Sequence, residues 1–160
     1  MAQYARPNSD VAAGSWTPST GATLYGYIDE ESYSDIDYIQ VANANSTCEI
    51  GLSSVTDPES SSNHIVRYRA RKAGNGALTV YLFDGATQIA SQTPTLTTSI
   101  QAFSFTLSSG EADNISDYSD LRLKFAGSYV IVGGVAVSWA EFEVPDAGAP
   151  PAGARRIFIV

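Results

Sequence analysis

The sequence predicts an all-β protein, an antiparallel two-sheet β-sandwich that is jelly-roll-like. Four short segments between His64 and Leu107 alternate apolar and polar residues and are separated by turn residues. No stretch shows the 3.6-residue apolar period of a long helix, and charged residues make up only 16% of the chain. The clearest strand, residues 64–72, separates an apolar side from a basic side, formed by Val66, Tyr68 and Ala70 and by Arg67, Arg69 and Arg71.

Length, net charge and cysteine content limit the number of domains and the kinds of partner that this chain can have. A chain of 160 residues is large enough for one domain with its own core. The net charge of -8 argues against nucleic acid and against anionic membranes as partners, since both attract basic surfaces. A single cysteine, Cys48, excludes an intrachain disulfide, and in a strand-like run it is expected to be a small buried side chain.

The elements of the first half follow from local patterns. Trp16 is expected to anchor the core, and residues 21–28 alternate weakly enough to be either a strand or a loop. An acidic segment, residues 29–37, precedes two predicted strands at residues 38–41 and 47–52. Residues 53–63 are rich in serine and are predicted to be a loop.

The second half contains the strongest strand signals. Glycine-containing turns at residues 74–76 and 84–86 predict hairpins, and one helical turn is expected around Glu111. The last core strand alternates imperfectly, which predicts a bulge near Ala140 or burial on both faces. The predicted strands are residues 64–72, 78–83, 88–93, 100–107, 121–125 and 135–144.

The two ends are expected to differ from the sandwich. Residues 1–13 are predicted to be an extended N-terminal arm, residues 14–145 the sandwich, and residues 146–160 a linker and C-terminal docking strand. The terminal strand could pair with the chain's own sheet or with a neighbouring subunit, and both alternatives stay open. Its candidate docking residues are Arg155, Arg156, Ile157, Phe158 and Ile159.

A search for catalytic groups predicts a protein that is not an enzyme. His64 is the only histidine, and no Gly-x-Ser-x-Gly turn accompanies it, so we expect an exposed residue at a strand end. One histidine and one cysteine are too few for a zinc site, and no glycine-rich phosphate loop precedes a helix. No cofactor is therefore expected, although the acidic segment leaves a loose Ca²⁺ site as an alternative to a solvated loop.

Two groups of side chains are candidate binding surfaces. Arg67, Arg69 and Arg71 could form one basic face with Arg122 and Lys124 if their strands are neighbours, and this face would dock an acidic partner. The alternative is a solvated face with salt bridges to Glu141 and Glu143. A cluster of tyrosines near the acidic segment could stack on sugar rings, namely Tyr25, Tyr27, Tyr33 and Tyr38.

Several phrases together resemble β-sandwich virion proteins of tailed bacteriophages and the carbohydrate-binding-module jelly rolls of tail and adhesion proteins. They are Arg6–Asp10 with Gly14–Pro18, Asp57-Pro58 before His64–Arg71, Leu96–Thr98, Asp117–Phe125 and Val137–Pro145. The resemblance covers residues 6–145. It implies a structural protein of a phage particle, a capsid decoration protein or minor tail component, that is oligomeric or lattice-bound and contacts major capsid or tail proteins.

The expected location is therefore the virion, which agrees with an N-terminus that lacks the apolar core of a signal peptide. The main alternative is a carbohydrate-binding module that attaches to a host glycan, and the two functions are compatible. A small glycan-cleaving enzyme that uses two of the seventeen acidic residues is a third hypothesis.

Overall fold

The computed structural model describes residues 1–148 and consists of two antiparallel sheets packed face to face. The predicted β-sandwich is thereby confirmed. The strands are β1 (Ala2–Ala5), β2 (Pro7–Ala12), β3 (Thr17–Pro18), β4 (Ile39–Ala42), β5 (Ser46–Leu52), β6 (Ile65–Gly74), β7 (Ala77–Asp84), β8 (Thr87–Gln92), β9 (Gln101–Thr106), β10 (Leu121–Ser128) and β11 (Gly133–Pro145). The C-terminal docking residues of the sequence analysis, Arg155 to Ile159, lie outside the described residues.

The two sheets divide the strands between them. Sheet A has six strands in the order β3-β4-β11-β6-β9, and β1 pairs with the far end of β11 beside β4. Sheet B has five strands in the order β2-β5-β10-β7-β8. Because consecutive strands often lie in different sheets, residues distant in sequence become neighbours on each face.

Apolar residues of alternate strand positions fill the space between the sheets. Tyr68, Phe125 and Phe142 are among the largest fully buried side chains. Trp16 is 3% exposed and packs against Phe125 with ring centroids 6.1 Å apart, as expected of a core anchor. Burial of these aromatic side chains, together with the aliphatic residues around them, stabilises the sandwich.

The first thirteen residues do not extend away from the domain as an arm. Ala2–Ala5 pairs with the end of β11, and Pro7–Ala12 pairs with β5, so this segment supplies one strand to each sheet. Ala5 is fully buried between the sheets. The partner of β1 is more than a hundred residues away in the sequence and that of β2 is about forty residues away, and local patterns reveal neither.

Most remaining elements agree with the predicted ones to within a few residues. Residues 21–28 are a loop that contains one 3₁₀ turn at Tyr25–Tyr27. The expected helical turn is α1 (Ser109–Asp113), closed by a capping box between Ser108 and Glu111. Neither helical element of residues 1–148 has the length and apolar character needed to cross a membrane.

The imperfect alternation of β11 is caused by a β-bulge, one of the two causes that the sequence predicts. The register of β11 against β6 shifts between Val137 and Trp139, so Ser138 is the extra residue of a bulge. Val137 therefore faces the core opposite Ala70, and Trp139 faces outward opposite Arg69. The bulge turns a tryptophan from the core to the outer face of sheet A.

Candidate functional site

The three arginines of β6 lie on the outer face of sheet A. The Arg67 guanidinium pairs with Glu143 and lies 3.9 Å from Glu141. Arg69 donates two hydrogen bonds to Asp35, of 2.8 and 2.6 Å. The charges of Arg67 and Arg69 are therefore neutralised within the chain. For Arg67, the structure agrees with the alternative of a solvated face with salt bridges to Glu141 and Glu143.

The five basic residues do not form one docking face. Arg122 and Lys124 belong to β10 in sheet B, so they face solvent on the opposite side of the sandwich from β6. Arg122 is also paired, with Glu49 at 3.0 Å and Asp120 at 3.1 Å. The proposal of a single positive surface was wrong because alternation along each strand cannot tell which sheet the strand joins.

The four candidate tyrosines are also separated. Tyr25 and Tyr27 are half-buried in the 3₁₀ turn, which packs beside β2 and is fixed by the Asp10 carboxylate accepting from the Leu24 and Tyr25 amides. The Arg71 guanidinium lies over the Tyr38 ring, 5.4 Å from the centroid of that ring. Only Tyr33 joins other exposed aromatic residues.

A group of aromatic side chains surrounds Tyr33 on the outer face of sheet A. Its ring lies edge-on to Trp139, with centroids 6.4 Å apart. Tyr4 of β1 projects to the same side, because it pairs with outward-facing Glu143. Tyr4 is 42% and Tyr33 58% exposed, whereas Trp139 is half-buried. We call this surface pocket the aromatic cleft; it is lined by Tyr4, Arg6, Glu31, Ser32, Tyr33, Trp139 and Glu141.

The loop of residues 28–38 forms one wall of the cleft and is fixed to sheet A by hydrogen bonds. The Trp139 indole Nε1 donates to the Glu30 carbonyl at 2.8 Å. The Ala140 amide donates to the Ile28 carbonyl at 3.1 Å, filling the gap on β11 between β4 and β1. The Ser138 hydroxyl of the bulge donates to Asp35 at 2.8 Å. The bulge thus both aims Trp139 outward and anchors the loop that carries Tyr33.

Charged groups at the floor of the cleft are held in fixed positions. Glu141 is 5% exposed and accepts from the Arg6 guanidinium at 3.2 Å. Burial raises the pKa of the Glu141 carboxyl, and the neighbouring Arg6 and Arg67 charges oppose that rise. The Arg6 Nε is buried without a hydrogen-bond partner among the described residues.

The pKa values of two carboxyl groups in this loop shift in opposite directions. The hydrogen bonds from the Arg69 guanidinium lower the pKa of Asp35, and the Ser138 hydroxyl adds to this effect. Burial raises the pKa of Glu30, and the nearby charges of Asp29 and Asp37 act in the same direction. Asp35 is therefore the charged residue that connects the loop to sheet A.

His64 is buried rather than exposed at its strand end. Its side chain is fully buried and lies against the Phe142 ring, with centroids 5.9 Å apart. Ser62 offers only a carbonyl at 3.1 Å, so His64 Nδ1 carries the proton and Nε2 accepts from the Tyr118 hydroxyl at 2.8 Å. The sequence did hold a signal, because His64 continues the apolar side of the strand formed by Val66 and Tyr68.

The acidic segment does not form a metal site. No three His, Cys, Asp or Glu side chains of residues 1–148 are placed to hold a metal ion. Asp35, at the centre of this segment, is engaged by Arg69 and Ser138 instead. The aromatic cleft therefore combines aromatic rings with the guanidinium of Arg6 and the carboxylate of Glu141.

Comparison with known proteins identifies the fold. No family model matches this chain, and neither does any curated protein. Among solved structures, the C-terminal CBM6 of the laminarinase LamC from Zobellia galactanivorans is 15% identical with a TM-score of 0.55, covering 90% of this chain and 100% of that module.

Two further carbohydrate-binding modules have the same fold. A CBM4 is 13% identical with a TM-score of 0.50, covering 80% of this chain and 93% of its own. The family 30 module of the cellulosomal cellulase Cel9D-Cel44B of Clostridium thermocellum is 12% identical with a TM-score of 0.50, covering 92% and 99%. The protein therefore has the jelly-roll-like β-sandwich fold found in carbohydrate-binding modules.

Proposed function

We propose that the protein is a carbohydrate-binding module whose ligand site is the aromatic cleft. The observation that carries the proposal is the convergence of Tyr4, Tyr33 and Trp139, from three distant parts of the sequence, on one side of sheet A. Sugar rings bind aromatic faces through their apolar C–H surfaces, and fixed charged groups then accept or donate to the hydroxyls.

The hydrogen-bonding groups are suited to sugar hydroxyls. Arg6, Glu31, Ser32 and Glu141 border the same pocket as the aromatic rings. Glu141 is held by Arg6 and Arg67, so its remaining acceptor capacity points in a fixed direction at little entropic cost on binding. The fold of the three comparison structures is consistent with this function.

The earlier expectation of a phage structural role has no comparable support from the structure. One of the docking surfaces expected for that role, a basic face of five residues, is divided between the two sides of the sandwich. Contacts with virion proteins and location on a particle therefore stay predictions from the sequence resemblance.

The test is affinity electrophoresis against a panel of soluble polysaccharides, followed by calorimetry on any ligand found. Trp139→Ala and Tyr33→Ala should each weaken binding at least about tenfold, the loss expected of a buried aromatic contact residue. Tyr81→Ala is the matched control, because Tyr81 is a half-buried tyrosine on the outer face of sheet B. Absence of binding to every polysaccharide, or equal losses in all three variants, would refute the proposal.

A further inference from the structure

Three consecutive, highly exposed apolar side chains lie at one end of the sandwich. Val130, Ile131 and Val132 form the turn between β10 and β11 and are 72%, 82% and 64% exposed. Three consecutive branched aliphatic residues with this exposure are costly to leave in water and commonly mark a contact surface. We call these three residues the apolar tip.

The loops around the apolar tip contain no acidic residue. Asn75 donates its amide to the Val132 carbonyl, Asn43 to the Gly133 carbonyl, and Tyr129 to the Asn45 side chain. Further loops are joined to these by the bonds from Ser15 to Ser46 and from Lys72 to Thr97. The loops of this end are residues 13–17, 42–46, 73–77, 93–100 and 128–132, and none contains Asp or Glu.

The acidic residues concentrate at the opposite end and along the sheet faces. The far-end loops are connected by hydrogen bonds such as those from Val55 to Tyr118 and from Gly85 to Asp120. Of the seventeen acidic residues, eight lie in or beside these loops, namely Asp57, Glu59, Asp84, Glu111, Asp113, Asp117, Asp120 and Asp146. The net charge of -8 therefore does not describe the end that carries the apolar tip, because that end has no acidic residue in its loops.

Two basic side chains stand next to the apolar tip. Arg71 and Lys72 are at the end of β6 that pairs with the start of β11. Within residues 1–148, neither has a carboxylate within 4 Å. Their charges are available to an anionic surface, whereas Arg67 and Arg69 on the same strand are already paired.

We propose that this end of the molecule binds membranes that contain anionic lipid, with the apolar tip inserted among the acyl chains. A projecting turn of aliphatic side chains can enter the interface, and the uncharged Asn, Ser, Thr and Gly residues around it bring no carboxylate into a low dielectric. Arg71 and Lys72 then lie at the level of the lipid phosphates. A second copy of the chain is a poorer occupant of this end, since paired tips would bring these cations together.

The orientation leaves the aromatic cleft accessible. Trp139 lies six residues along β11 from Gly133, a distance of about 20 Å for an extended strand. A molecule attached through its tip therefore presents the cleft away from the bilayer plane. The inference does not depend on the proposed glycan binding, and each can fail without the other.

The test is co-sedimentation of the full chain with vesicles of phosphatidylcholine alone and of phosphatidylcholine with phosphatidylserine. We expect binding to the anionic vesicles that falls as salt rises, and a loss of about tenfold or more in Ile131→Asp. Arg71→Gln combined with Lys72→Gln should reduce the difference between the two vesicle types. Ile36→Asp is the matched control, because Ile36 is 85% exposed but outside the apolar tip.

Three results would overturn the proposal. They are no binding of the unmodified chain to anionic vesicles, equal binding of Ile131→Asp and the unmodified chain, or self-association abolished by Ile131→Asp without vesicle binding. The last outcome would make the tip a protein interface. Circular dichroism of each variant establishes that a loss of binding does not reflect unfolding.

Discussion

The Arg69 guanidinium lies 4.0 Å over the centre of the Tyr33 ring, so one face of that ring is covered by a cation. The same guanidinium donates two hydrogen bonds to Asp35, two residues along the loop. A strand residue of sheet A thus holds both a cleft aromatic residue and the loop that carries it. Under the proposed function, the opposite face of the Tyr33 ring would contact the sugar.

Asp35→Asn should loosen this loop. The change removes the charged partner of Arg69, and because Asp35 is about one-third exposed the loss of unfolding free energy should be small, about 0.5–1 kcal/mol. Affinity for any glycan found should fall more than stability does, since Tyr33 loses its fixed position. Chemical denaturation and calorimetry measure the two effects, and unchanged affinity would mean that the loop does not need this anchor.

The same carboxylate gives the protein a pH dependence in acid. The pKa of Asp35 is lowered in the folded state, so the unfolded chain binds a proton more readily. The stabilisation is complete above the ordinary value of 3.8 and is lost as the pH falls through the folded pKa. Unfolding curves of the parent protein and Asp35→Asn should converge toward low pH; a gap that stays constant would show that the charge of Asp35 contributes nothing.

His64 should produce a second loss of stability at mildly acidic pH. Burial lowers the pKa of His64 below its ordinary value of 6.5, so protonation is easier in the unfolded chain. The unfolding free energy should fall below about pH 6.5 by at most about 1.4 kcal/mol per pH unit, until the folded pKa is reached. In urea titrations at a series of pH values from about 7.5 downward, His64→Gln should not show this fall of the unfolding free energy below about pH 6.5. An identical slope in the variant would assign the effect to other groups.

Gly127 is required by the packing between the sheets. A methyl group at this position of β10 would meet the Val41 side chain, and would lie 2.9 Å from Val135 Cγ2 and 3.2 Å from Trp16 Cζ2. Gly127→Ala should therefore destabilise the protein by about 1–3 kcal/mol, measured by denaturant unfolding. Gly110→Ala is the control, because no atom lies within 4 Å of the added methyl group. Equal stability of both variants would contradict the described packing at Gly127.

Local patterns predicted the eight strands β4 to β11, because each strand of a sandwich buries alternate residues against the opposite sheet. The apolar side of residues 64–72 and the bulge in the last strand both follow from that rule. The aromatic cleft could not be predicted in this way. Tyr4, Tyr33 and Trp139 come together through pairing of β1 with β11 and through the anchored loop, which are contacts between distant parts of the chain.

The basic residues also show what local patterns cannot predict, because residues with similar patterns can belong to different sheets. Arg67 and Arg122 have identical outward positions on their strands, yet they lie on opposite sides of the molecule because β6 and β10 belong to different sheets. Alternation gives the face of a residue within its strand, and only the order of strands gives its neighbours.

The location of the glycan site can be tested most directly by tryptophan fluorescence. Trp16 is 3% exposed in the core, so Trp16→Phe leaves Trp139 in the cleft as the only emitting tryptophan. With a bound glycan from the polysaccharide screen, acrylamide quenching of this variant should decrease, because the sugar covers the indole. Quenching that does not change at saturating ligand would place the bound glycan elsewhere and contradict the assignment of the aromatic cleft.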